Sequence, residues 1–149
     1  MYLTITVHLP PSVASQFDKL QTMLDIECAD QPENLASCST ALTELRELYR
    51  NLRYFVLEDN VDMGRLWRWS TTLPIEFLTL IKSRYQPALV IVAYFAAANT
   101  LAHTIWFVND WSQYALRGVG MELEERMQQW LDWPRRQVQN NFSSLREET

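Results

Sequence analysis

His103 is the residue whose type and setting invite chemistry first. An imidazole titrates near neutral pH and can both take and release a proton. Asn99 stands one helical turn before it, Tyr94 precedes Asn99 at a similar interval, and Asp110 follows nearby. A base against an apolar wall with a carboxylate to orient it is an arrangement for proton transfer, so His103, Asp110 and Tyr94 are the catalytic candidates. The plainer reading is a helix-face histidine satisfied by a carbonyl or by solvent, and it is preferred. Tyr94, Asn99 and His103 also fall on one side of a helix. There they would form the polar edge of an apolar ligand pocket, or a helix rim meeting water. Trp69, Phe77, Trp106 and Trp111 complete the ligand-binding candidates, because flat rings can wall a flat hydrophobic molecule. Trp67, Trp130 and Trp133 belong to the same set. Core filling is the commoner use of an indole.

Other chemistry finds little footing. Cys28, Cys38, His8 and His103 lack metal-ligand spacing, so no metal is expected. Gly118-Val-Gly120 lacks the rest of a dinucleotide fingerprint, and no Gly-x-Ser-x-Gly elbow occurs, so no cofactor is expected either. The formal charge is −5 and the basic residues are scattered, which argues against direct nucleic-acid binding. Met1 to Pro10 has no basic n-region, and His8, Pro10 and Pro11 interrupt it, so it does not read as a signal peptide. The two cysteines are therefore expected to stay reduced. The apolar run Ala88 to Ala98 is too short for a bilayer, which needs about 20 residues.

The 149 residues, 48% of them hydrophobic and only three of them glycine, suit one helical domain with a real core. Met1 to Pro10 reads as an extended arm and residues 144–149 as a frayed tail. A first helix is predicted from Ser12, its cap, to Ile26, on the spacing of Val13, Phe17, Leu20 and Leu24. Cys28 to Ala36 reads as a loop and Thr40 to Leu57 as a second helix. Asn60 to Trp69 reads as a connector or a short helix weakened by Gly64. Pro74 and Pro87 each start a helix in the usual first-turn position. The helix from Pro87 is apolar almost all round and should be central, with its pattern extending through Leu101, Ile105 and Trp106 to Phe107. Beyond it, Asn109 or Asp110 caps Trp111 to Leu116, which Gly118 ends. Met121 to Leu131 and Arg135 to Phe142 follow, with Pro134 between them. The expectation is all-α, with six to seven helices around one central apolar helix at about 87–107.

Five short segments in order carry a family resemblance. They are Trp69-Ser-Thr-Thr-Leu-Pro74, Glu76-Phe77-Leu78 with Leu80-Ile81, Arg84 through Pro87 to Tyr94, Trp106-Phe-Val-Asn-Asp-Trp111, and Trp130-Leu-Asp-Trp-Pro134. Together they resemble the C-terminal regulatory domain of fungal zinc-cluster transcription factors, in the branch of sterol uptake control proteins. Ile105 and Asp110 depart from that pattern, where the family has Trp and Gly. The resemblance implies a helical module that binds a sterol-like, polyketide or terpenoid molecule and acts in the nucleus or cytoplasm. Two cysteines cannot build the six-cysteine zinc cluster, so the DNA-binding part is not expected here. A central helix stripped of some family neighbours would expose an apolar face. A homodimer is therefore expected, with a full-length relative as another partner. A rival reading takes the chain as a shortened relative recruited to a secondary-metabolite pathway, acting as a cofactor-free cyclase or isomerase.

Overall fold

In the computed structural model, residues 8–57, 63–102 and 106–147 are described. The side chains of 55, 63–67, 102 and 106–109 lie outside that description, and so does most of the expected arm. The described chain is all-α. Seven α-helices run in order: α1 Pro11–Glu27, α2 Pro32–Leu57, α3 Met63–Thr72, α4 Ile75–Lys82, α5 Gln86–Asn99, α6 Trp106–Glu122 and α7 Asp132–Gln139. Short 3-10 segments at Thr100–Ala102, Glu125–Leu131 and Ser143–Arg146 complete it.

Helix α5 is the axis of the packing, as its all-round apolar sequence predicts. It touches α1, α2, α4, α6 and α7. Every residue from Pro87 to Asn99 except Val92 is buried. Its alanines carry no side chain beyond Cβ, which lets α6 lie close along it. Pro87 occupies the first turn, where its missing N–H costs nothing.

The central helix is shorter than the expected 87–107, and two short polar side chains stand at its end. Asn99 Nδ2 donates to the Phe95 carbonyl at 2.8 Å, and Thr100 Oγ1 donates to the Ala97 carbonyl at 2.6 Å. Short polar side chains offer the backbone such local partners in competition with the helix ladder. The chain tightens into the Thr100–Ala102 turn, and a new helix begins at Trp106 instead of near Asn109.

Other boundaries move for equally local reasons. No side chain caps α1; Ser12 Oγ instead donates to Glu147 Oε2 at 2.8 Å. Helix α2 starts at Pro32, eight residues before Thr40, because proline is tolerated in a first turn and Cys38, Ala41, Leu42 and Leu45 already form a buried stripe. Gly64 does not prevent α3. Gly118 does not end α6, because Leu116, Val119 and Leu123 keep a buried face through it. In place of a helix over Met121 to Leu131, α6 stops at Glu122 and a 3-10 segment follows. Gln128 Nε2 closes that corner by donating to the carbonyls of Gly120 and Leu123 at 2.7 and 2.9 Å. Pro134 lies inside the first turn of α7, which therefore begins before Arg135. Phe142, expected in that last helix, is instead left-handed with φ 55° and fully buried.

Residues 144–147 are pinned to the body. Leu145 is fully buried. The Arg53 guanidinium donates to the carbonyls of Leu145 at 3.1 Å, Glu147 at 2.9 Å and His8 at 2.5 Å.

A buried aromatic group joins the elements on one side of α5. Tyr94 stacks on Trp133 at 5.2 Å with an 8° interplanar angle, and Tyr49 meets Phe17 edge-on at 5.0 Å. The Tyr49 hydroxyl donates to the Tyr94 carbonyl at 2.7 Å, tying α2 to α5 inside the core. Tyr49→Phe removes that donor and little volume. We expect it to cost about 1–2 kcal/mol in urea unfolding; an unchanged midpoint would show that the bond contributes nothing net.

Candidate functional site

Residues 94 and 95 head two files of described aromatic side chains on two sides of α5, because successive helical residues point about 100° apart. Tyr94 faces Trp133, Tyr49 and Phe17. Phe95 faces a second file: its ring stacks on Trp69 at 4.4 Å and meets Trp111 edge-on at 6.1 Å, while Trp69 meets Phe77 at 6.1 Å. The structure thus places Trp69, Phe77 and Trp111 in one file of rings packed directly on one another, Trp69 and Phe77 within the core. Phe95, the ring that joins Trp69 to Trp111, was missed by sequence reasoning; its place one turn before Asn99 on the same helix was the available signal.

The three rings differ in access. Phe77 is fully buried, Trp69 nearly so, and Trp111 is 39% exposed. Trp69 is fixed by its indole N–H, which donates to the Ala41 carbonyl at 3.0 Å and so docks α3 on α2. Its outer edge also lines a surface groove of about 230 Å³ with Glu44, Leu48, Arg68 and Thr72. A second groove of about 350 Å³, lined by Met23, Ile26 and Trp130, lies against α1; of its lining, Trp130 belongs to the tryptophan set drawn from sequence.

Asn99 joins the file from below. It is fully buried, and its amide N–H bonds the Phe95 carbonyl one turn back. Its Oδ1 has no hydrogen-bond partner among the described residues, a property it shares with Gln137 Oε1 on α7. A buried carbonyl oxygen without a donor costs about 1–3 kcal/mol. This oxygen is the polar feature of the Phe95 side that can recognise an O–H or N–H.

Tyr94 does not share that side. Its ring is buried against Trp133, and its hydroxyl accepts from Gln16 Nε2 at 2.7 Å. Burial raises its phenol pKa strongly, and the Gln16 amide only partly offsets that. The same desolvation, with the neighbouring Tyr94, raises Tyr49. Tyr94 is thus a neutral core residue held by packing. Asp110 is exposed on α6. His103 lies outside the described residues, and so does the side chain of Trp106. Tyr94 and Asp110 share no described contact, so neither supplies the other with a proton route. Among the described residues, no three His, Cys, Asp or Glu side chains converge on a metal position, and no helix is long and apolar enough to cross a membrane.

The two cysteines are free and buried. Desolvation, reinforced by the adjacent Cys28, pushes the Cys38 thiol from 9.0 up to about 12. Cys38, Tyr49 and Tyr94 therefore stay protonated in the folded chain at a pH where the unfolded chain has lost those protons. Their contribution is complete below pH 9 and is lost as pH climbs toward 12. Thermal melts should be level up to about pH 9 and then fall, less steeply for Cys38→Ala. A melting temperature constant to about pH 11 would contradict this.

Asn99→Leu exchanges an incompletely bonded amide for an apolar group of similar size. Because an unsatisfied buried group is costly while an apolar replacement is not, the variant is expected to melt no lower than the parent. A loss of more than about 2 kcal/mol would show that the Asn99 amide bond is structural.

Comparison of the chain with protein-family models, with curated proteins and with solved structures finds no match.

Proposed function

We propose that this chain is a non-catalytic helical regulatory module that binds a flat apolar molecule bearing a hydroxyl, and that it works as a homodimer. The observation that carries the ligand reading is Asn99: a buried acceptor without a donor among the described residues, one helical turn after Phe95, whose ring joins Trp69 to Trp111. Apolar pockets gain affinity from ring area and orientation from a few polar atoms. Here Phe95 and Trp111 supply the area and Asn99 Oδ1 accepts the hydroxyl proton. A sterol has this combination of a rigid flat body and one hydroxyl. That chemistry agrees with the resemblance of residues 69–134 to the regulatory domain of fungal zinc-cluster factors.

Binding would act through the helices that meet at the site. Phe95 belongs to α5, Trp69 to α3 and Trp111 to α6, so a molecule seated there contacts three elements. Such a ligand shifts the arrangement of these helices by as much as its affinity differs between arrangements.

Dehydroergosterol is a suitable probe, since its polyene accepts energy from tryptophan. Titration should quench tryptophan emission saturably and raise the melting temperature. Asn99→Leu should weaken the binding at least about tenfold, corresponding to loss of one buried hydrogen bond. Absence of saturable quenching and of stabilisation in the parent protein would sink the ligand reading. Equal affinity in Asn99→Leu would remove Asn99 from it.

A further inference from the structure

The outward face of α6 carries a straight stripe of unusual composition. Trp111, Tyr114, Gly118 and Met121 follow one another at intervals of three, four and three residues, which aligns them on one side of a helix. The opposite side, with Leu116, Val119 and Leu123, packs into the core. Tyr114 is 72% exposed and Met121 85%. Trp111 turns one edge to Phe95 and leaves 39% of its surface outside. A Cβ placed on Gly118 would meet nothing within 4 Å. The stripe therefore has a shallow seat of bare backbone between two projecting side chains.

We propose that this face pairs with α6 of a second copy, running antiparallel about a two-fold axis beside Leu116. The proposal rests on the homodimer part of the reading above and gives that dimer its surface. The stripe is complementary to itself in that arrangement. Position 114 meets 118, so each Tyr114 ring lies over the other copy's Gly118. Position 111 meets 121, so each Trp111 lies against a Met121 thioether, a favourable sulfur–aromatic contact. Asp110 and Arg117 share one edge of the stripe. A two-fold of this kind sets like edges together, so the two Arg117 side chains flank the axis and extend outward to solvent, while Asp110 lies farther along the same edge.

Area supports a pairing of this size. The exposed parts of Trp111, Tyr114 and Met121 amount to roughly 400 Å² per copy, or about 800 Å² in a pair. With the flanking polar side chains, the interface approaches the ~1,200 Å² at which specific dimers begin. Micromolar affinity is expected, not an obligate assembly.

Sedimentation velocity of the full chain across roughly 1–100 µM tests this range. The parent should pass from monomer to dimer. Tyr114→Glu combined with Met121→Glu should weaken dimerisation at least about tenfold, with an unchanged helical signal and melting temperature. Ile75→Glu, a control at an exposed apolar position on α4, should leave the dimer intact. Mixing Tyr114→Cys with Gly118→Cys under mild oxidation should yield a crosslinked heterodimer, which fixes the antiparallel register. A parent that remains monomeric throughout overturns both the homodimer reading and this surface. A dimer indifferent to the paired glutamates overturns the surface alone.

Discussion

Twelve of the fourteen residues of α5 are buried, and covering that helix is the constraint to which the other elements answer. Burying one large apolar side chain is worth about 1.5–3 kcal/mol, and α5 offers such side chains in every direction. A helix of this kind has no solvent face, so neighbours must surround it. Helices α1, α2, α4, α6 and α7 do so. The polar links then cluster where those neighbours meet. Gln86 accepts from the Glu124 backbone N–H at 2.7 Å and donates to the Glu122 carbonyl at 3.2 Å. Arg126 bonds Glu27 at 2.6 Å and Glu124 at 3.0 Å. These exposed ion pairs add little energy, but they fix how the covering elements meet.

The two sides of α5 differ in how their rings are enclosed. On the Tyr94 side the aromatic rings are packed and the hydroxyls are engaged, joining α1, α2, α5 and α7, although Gln137 Oε1, one turn after Trp133, is also buried without a partner among the described residues. On the Phe95 side, rings from α3, α4 and α6 converge, one of them reaches solvent, and an amide oxygen lacks a donor. Proteins tend to concentrate such local inconsistencies at functional positions. The contrast between these sides weighs more in the functional reading than any single residue.

How much of this was legible in the sequence depends on the range of the interaction. The all-α class, the central position of the helix after Pro87 and the stripe Val13, Phe17, Leu20 and Leu24 follow from periodicity, which is local. The end of α5 was not legible, because an apolar pattern continues past it through Leu101. Asn99 and Thr100 bond carbonyls behind them at that end, but Thr40 and Thr43 do the same inside α2, so such residues do not mark a helix end by type. Gly118 was misleading for the opposite reason: its propensity to end a helix is outweighed by burial of Leu116, Val119 and Leu123. At the site, Trp69, Phe77 and Trp111 were recognisable as aromatic candidates by type. Helical spacing already sets Phe95, four residues before Asn99, apart from Tyr94, five before it; which rings meet each of them depends on tertiary packing. His103, prominent by chemistry, stands outside the described residues.

Arg53 has a consequence for the topology of the chain. One planar guanidinium holds carbonyls of His8, Leu145 and Glu147, so residues 8 and 147 approach the body of the protein at a single point. Two carbonyls bound to one such group lie within roughly 8 Å, a gap that about three residues can span. The fold is therefore nearly a closed loop. A circular permutant that joins 147 to 8 and opens elsewhere would preserve every helix, and an inserted domain could enter and leave here without prising the bundle apart.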